Sequence, residues 1–420
     1  MMRGRSGFSF LWSLFKGSIS LDQEFLYEIF RREMRERKIP LSLGKICPVK
    51  CTFCYEKDHS YRKTFDIPLT TQEHWEFILK EIQSYPTRDK ENWVIGGNEY
   101  MAWTDLFLHP RAMDWLEEFL DVTDKNIILF TVGYTPPDRI NRLAEKYPGR
   151  INYELSVITM GEVRKRMMPH APTVDQVLRI LDGPAVTSAN FYSFGPDTMS
   201  ADAIRISKIN KKCLLWMGCL TPLKYIDPET TALMRQGKKF LSREARNIYD
   251  ANLPNTCMIH TESDITAFLN RKKIIKTFDA CELDKKDTVV MAGNVYRVLK
   301  LFRRNRARFL YVPNHTLGGD SNCTTLLTFD DIARRLTHEL KVYLPKVVLE
   351  GSCAEEKDIA GTHFSEFRAR FPRTRFKVLR KVNSDLSNKK LYEKGYVKNY
   401  VEDYLGDPLH KKFEAVPLPN

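Results

Sequence analysis

Three thiols fall within eight positions in "KICPVKCTFCYEKD": Cys47, Cys51 and Cys54. The gaps are three residues and then two, with Phe53 just before the last cysteine and Tyr55 just after it. Structural zinc asks for four ligands, usually one pair and then a second pair some distance along. Here a third cysteine crowds the first pair, and no neat second pair follows. A catalytic thiol needs only one cysteine. An iron–sulfur cluster accepts thiolates from a tight loop wrapped round a compact object. Three ligands on a four-iron cubane leave one iron without a protein ligand, and that iron can bind a small molecule.

The other six cysteines are Cys213, Cys219, Cys257, Cys281, Cys323 and Cys353. They form no dense group of the kind a second cluster uses. Cys213 and Cys219 lie on an apolar stretch, where buried cysteine is common. Nine cysteines in a chain read as having no secretory leader point to metal or redox ligands and buried apolar residues, not to a disulfide frame.

Cys-x3-Cys-x2-Cys with an aromatic before the third cysteine resembles the signature of the radical S-adenosylmethionine (SAM) enzymes. The resemblance implies that Cys47, Cys51 and Cys54 hold a [4Fe-4S] cluster whose open iron chelates S-adenosyl-L-methionine. It implies an electron donor such as a flavodoxin or ferredoxin. Reductive cleavage of SAM would then give a 5′-deoxyadenosyl radical that abstracts a substrate hydrogen. Phe53 would pack near the adenine. Gly96 and Gly97 match the glycines of the family's next signature, but Asn98 stands where glutamate is common and Glu99 comes one place late. Ser156 and Arg166 match further SAM contacts by position, with Arg164 as the rival arginine. Family and residues together imply a partial (β/α)6 TIM-like barrel with a smaller C-terminal α/β module.

The surrounding chain has the elements such a barrel needs. "IPLSLGKI" reads as the strand before the cysteines. "TTQEHWEFILKEIQSY" has helical spacing with Thr70 or Thr71 as its cap. "NWVIGGNEY" reads as a strand ending in two glycines, and "DLFLHPRAMDWLEEFLDV" as a turn and helix. "KNIILFTVGY" and "RINYELSVI" are strands separated by a helix that begins at "PPDRINRL". In the second of these, Asn152, Glu154 and Ser156 alternate with apolar residues and so face the inside of the barrel. "PTVDQVLRILDG" is a helix, and "PAVTSANFYSFGPD" and "KCLLWMGCLTPL" are the fifth and sixth strands. Beyond about residue 285, "DTVVMAG", "RARFLYVPN" and "KVYLPKVVLEG" read as strands and "NVYRVLKLFRR" and "TFDDIARRLTHEL" as helices. That region faintly resembles an uncharacterised domain found on some radical SAM proteins. The expected division is residues 1–38 as an N-terminal helical extension, 39–284 as the barrel and 285–420 as the module covering it. In the module, His315, Asp320, Cys323 and His363 are weighed for substrate binding against an ordinary polar loop. The aromatic tail is expected to pack back on the barrel.

The formal net charge is +13 and the pI about 9.2. The basic runs "LKLFRRNRARF" and "FRARFPRTRFKVLRK" read first as solvated faces, and next as contacts to an anionic substrate. Nucleic acid is not favoured, since no recognised nucleic-acid motif accompanies them. No apolar run approaches the roughly 20 residues of a membrane span. The N-terminal "FSFLWSLF" is short, broken by serines and followed by Lys16, so it reads as a segment packed on the body of a cytoplasmic protein. The runner-up reading is a zinc-stabilised nucleic-acid-binding protein that uses the same cysteines.

Overall fold

The computed structural model describes residues 23–44, 47, 49–54, 68–86, 92–95, 105–253, 255–258, 263–281, 283–302, 307–318, 327–339, 344, 346–349, 362–379 and 396–419. Seven parallel strands form one sheet in the order of the chain: β1 (Lys38–Ile39), β2 (Asn92–Ile95), β3 (Asn126–Thr131), β4 (Ile151–Ile158), β5 (Val186–Tyr192), β6 (Leu214–Gly218) and β7 (Thr256–Met258). Helices alternate with them, and no strand order reverses. That winding is a barrel's, not that of a doubly wound sheet. Among the described residues β7 does not pair with β1, so the barrel is partial, as the sequence implies. The seventh strand was not foreseen; it has only three residues.

Local chemistry explains the elements. Helix Gln72–Ser84 is started by a capping box in which the Thr71 hydroxyl accepts from the His74 N–H. Its buried residues Trp75, Ile78, Leu79 and Ile82 recur at helical spacing. Pro137 opens helix Pro137–Lys146. The first strand is shorter than "IPLSLGKI" predicts. Pro40 follows β1 at once and has no N–H to give to a ladder. Past it, Leu43 makes only an isolated antiparallel bridge with Leu69.

A second, four-stranded parallel sheet runs β11 (Arg375–Val378), β10 (Lys346–Leu349), β8 (Thr288–Met291), β9 (Arg308–Tyr311). All four residues of β8 are buried, as in a sheet covered on both faces. Val289 and Met291 join the main core, which the barrel shares. Val290 turns the other way, to Leu310, Phe329, Ile332 and Phe367. The tail also belongs to the main core. Tyr400, Tyr404 and Phe413 are buried there with Phe268, and the Tyr400 hydroxyl lies 3.0 Å from Ser242 Oγ.

Candidate functional site

Cys47, Cys51 and Cys54 lie on the loop between β1 and helix Gln72–Ser84, and all three are half-buried. Lys50 adopts φ +53°, a left-handed conformation uncommon for a side chain of its size. The loop is tied to the strand ends. The Thr52 N–H donates to the Met167 carbonyl at 2.9 Å, and the Tyr225 hydroxyl donates to the Cys54 carbonyl at 2.9 Å. Met167 follows β4 and Tyr225 follows β6, so two strand ends hold one loop.

Cys47, Cys51 and Phe53 pack against a small apolar cluster separate from the main core. Its buried members include Val49, Ile158, Met167, Met168, Leu223 and Leu317. Ile158 ends β4 at φ +67°. A β-branched residue there is strained, and such strain gathers at sites. Leu317 comes from the C-terminal part of the chain.

The electrostatics favour the neutral thiol at Cys47 and Cys51. Burial pushes both Cys47 and Cys51 above the usual thiol range, and for Cys51 the neighbouring Cys54 and Cys47 push further. A metal cluster supplies the positive charge that takes protons off such thiols. The donor set therefore fits a group that binds three thiolates. Among the described residues no three His, Cys, Asp or Glu side chains converge tightly enough for one ion. Thiolates around a single zinc stand only about 3.8 Å apart, from a Zn–S bond of about 2.3 Å and tetrahedral angles. A cubane places each thiolate on its own iron and spaces them more widely.

Arg164 and Arg166 part company on the short helix Val163–Met167. Arg164 is buried, donates to the Val157 carbonyl, and lies close enough to Cys51 to interact with a thiolate there. Burial lowers its pKa to about 10, and its Nε has no hydrogen-bond partner among the described residues. Arg166 is exposed and pairs with Asp227 and Glu229. The fold thus brings Arg164 to the cysteines and does not bring Arg166. Ser156 accepts from Asn190 Nδ2 at 3.4 Å inside the barrel. Gly96, Gly97 and Asn98 lie outside the described residues, as do Asp320, Cys323, Cys353 and the N-terminal apolar cluster. His315 is exposed, and His363 precedes a helix of six residues. Cys213 and Cys219 are buried, as an apolar stretch predicts.

Asp105 was missed by the sequence reading. Its carboxylate accepts from the Thr131 hydroxyl and the Val132 N–H, both at 2.7 Å, where β3 ends. Its N–H reaches Cys47. Burial raises its pKa to about 6. Only the Asp at a helix start in "DLFL" hints at it.

Residues 41–183 match the model of the Radical SAM superfamily. This segment is a radical SAM domain. The match spans the cysteine loop and the strands up to the end of helix Val174–Leu181. No curated protein matches the chain. Beside the radical SAM domain, a groove of about 890 Å³ opens along Leu223, Ile226 and Phe240, with the cations Lys224, Arg235 and Lys239 on its walls. Among the described residues no helix is long and apolar enough to cross a membrane.

Proposed function

We propose that this chain is a cytoplasmic radical SAM enzyme in which Cys47, Cys51 and Cys54 hold a [4Fe-4S] cluster. The observation that carries it is the packing of Cys47 and Cys51 against one apolar cluster at the strand ends of a parallel barrel, with Cys54 on the same loop held by the Tyr225 hydroxyl. When bound, the cluster with SAM on its open iron supplies reductive cleavage to methionine and a 5′-deoxyadenosyl radical.

The protein's own part is to hold, orient and exclude water. Phe53 packs beside the cysteines and is placed to flank the adenine. Gly96, Gly97 and Asn98 are assigned to SAM by the sequence resemblance alone. Ser156 faces the lumen. Of the two arginines, Arg164 is buried beside Cys51 with a free Nε–H, which suits a carboxylate better than the exposed Arg166 does.

The C-terminal module closes the mouth. Leu317 is fully buried among the apolar residues around the cysteines, and its carbonyl accepts from the Lys224 N–H at 2.9 Å. An anionic part of the substrate would enter along the groove walled by Lys224, Arg235 and Lys239. A flavodoxin or ferredoxin would bring the electron.

The test is anaerobic purification, iron and sulfide analysis, then incubation with dithionite and SAM. A brown protein with about four irons that releases 5′-deoxyadenosine is expected. A colourless protein carrying one zinc would establish the zinc-stabilised alternative instead.

A further inference from the structure

The barrel lumen carries polar groups that the cysteine chemistry leaves unused. Leu155 lies with Val177 and Ile180 of helix Val174–Leu181 against Gly133, so odd-numbered residues of β4 turn to the helices. Asn152, Glu154 and Ser156 turn inward. Asn152 Nδ2 donates to Asn92 Oδ1 of β2 at 3.2 Å, across the intervening β3. Strands two apart lie about 9.5 Å from each other on a flat sheet, so this contact needs a concave face.

In register, Glu154 sits between Phe130 of β3 and Ser188 of β5, with Leu214 of β6 beyond. Ser156 sits beside Asn190. Two polar atoms here are buried without a hydrogen-bond partner among the described residues, Ser188 Oγ and Asn190 Oδ1. Ser188 is 4% exposed. Natural proteins rarely leave such atoms unmatched, and a ligand is one standard reason. Glu154 is perturbed by burial alone, with no charged group contributing.

We propose that Glu154, Ser188 and Asn190 form the anchoring site for the substrate's primary ammonium group. An ammonium has three N–H donors and no acceptor. The site offers one carboxylate and two further oxygens. A phosphate or carboxylate would be repelled by the Glu154 carboxylate and meet the acceptor Asn190 Oδ1, with only the Ser188 hydroxyl able to donate to it. Glu154 lies two residues below Ser156, about 6.6 Å deeper along β4. A molecule anchored there extends up toward the cysteine loop, and a second, anionic end would make it zwitterionic.

Burial holds the Glu154 carboxyl up at about 7. Its in-register and same-strand neighbours, Phe130, Ser188, Leu214, Asn152 and Ser156, do not titrate. Amine binding therefore weakens as pH falls through that value, because the carboxylate is lost while the ammonium persists.

The role as a substrate anchor rests on the radical SAM reading, but the binding chemistry is read directly. The full chain, purified anaerobically and saturated with SAM, is titrated calorimetrically with n-butylamine and with n-butanol. Butylammonium should bind saturably near pH 8 and about tenfold more weakly near pH 6. Butanol should bind more weakly by about tenfold at the higher pH. Glu154→Gln should remove amine binding and leave SAM affinity unchanged. Equal binding of the alcohol, or no amine binding by a chain that takes up SAM, overturns the site. Loss of SAM affinity in Glu154→Gln, matching the loss of amine, assigns the carboxylate to SAM and overturns it too. If that variant does not fold, the wild-type pH dependence decides. Failure to load iron or bind SAM strikes the radical SAM reading, while the amine titration still judges the site.

Discussion

Cys51 has stronger reasons than Cys47 to stay a neutral thiol, namely deeper burial and two neighbouring sulfurs. A cation bound in the loop would favour its thiolate. Replacing Cys47, Cys51 or Cys54 by Ala should each remove most of the iron and abolish SAM cleavage, since the remaining thiolates leave two irons open to solvent. Iron content and 5′-deoxyadenosine release measure this; full cleavage by any single variant would refute the assignment. Glu154 makes the opposite statement, about a group that prefers its proton. Its folded pKa of about 7 exceeds the unfolded value of about 4.3, so the folded chain binds more protons between those pH values. Its contribution to stability is thus present below about pH 4.3 and lost as pH rises through 7. Glu154→Gln should stabilise the fold by roughly 1–3 kcal/mol near pH 8, with the gain fading toward pH 4. Urea unfolding of both proteins at several pH values tests the sign. The cysteines were legible because three thiols at fixed spacing need no tertiary information. The arginines were not, since Arg164 and Arg166 differ only in which side of a five-residue helix they occupy.

The loop after β9 shows how one element is aimed at another. Asp331 accepts from the His315 and Thr316 N–H groups at 2.9 Å, and also from the Thr316 hydroxyl and from the N–H and hydroxyl of Thr328. The Leu317 N–H is taken by Asn314 Oδ1 at 2.8 Å. So braced, the loop offers Leu317 to the cysteine cluster. Asp331→Ala would strand several buried donors, at a cost of about 2–4 kcal/mol. Gly318 has φ +81°, and a Cβ there would sit 2.6 Å from Lys224 Cβ. Gly318→Ala should therefore lift the loop from the barrel while leaving the iron count intact. Faster amide exchange at Leu317 would register the lift, and unchanged exchange would show that the loop absorbs the methyl group. The capped and periodic elements, such as Gln72–Ser84 and Phe329–Glu339, could be read from sequence because each carries its own start signal and apolar stripe. Strand β11 could not. Its stretch "FRARFPRTRFKV" reads as a charge run, yet Phe367, Phe371 and Phe376 within it pack ring to ring. β7 is three residues long and has no pattern to detect until β6 lies beside it.

At the scale of the molecule, the barrel and the chain after residue 284 share one core, so cutting between them would expose Val289, Met291, Tyr400 and Phe413. Arg297 on helix Gly293–Phe302 pairs with Asp264 at 2.6 Å, and both are largely buried. The module's covering role is better tested by a point change than by truncation. A six-to-seven-strand barrel is open on one side, and a radical left open to water and stray hydrogen donors is wasted. Leu317→Asp puts a charge into the apolar cluster beside the cysteines, where an unpaired carboxylate is costly. The docked loop should then swing away rather than bury it. The cluster should still assemble, because Cys47, Cys51 and Cys54 are untouched. Oxygen should reach it faster. The wild type should bleach in air over hours, with SAM slowing the loss by occupying the open iron. In Leu317→Asp the bleaching should quicken several-fold and the protection by SAM should shrink. Absorbance decay in air, with and without SAM, follows both effects. If the variant bleaches at the wild-type rate with full protection, Leu317 is a packing residue only, and the cysteine site is shielded by the barrel alone.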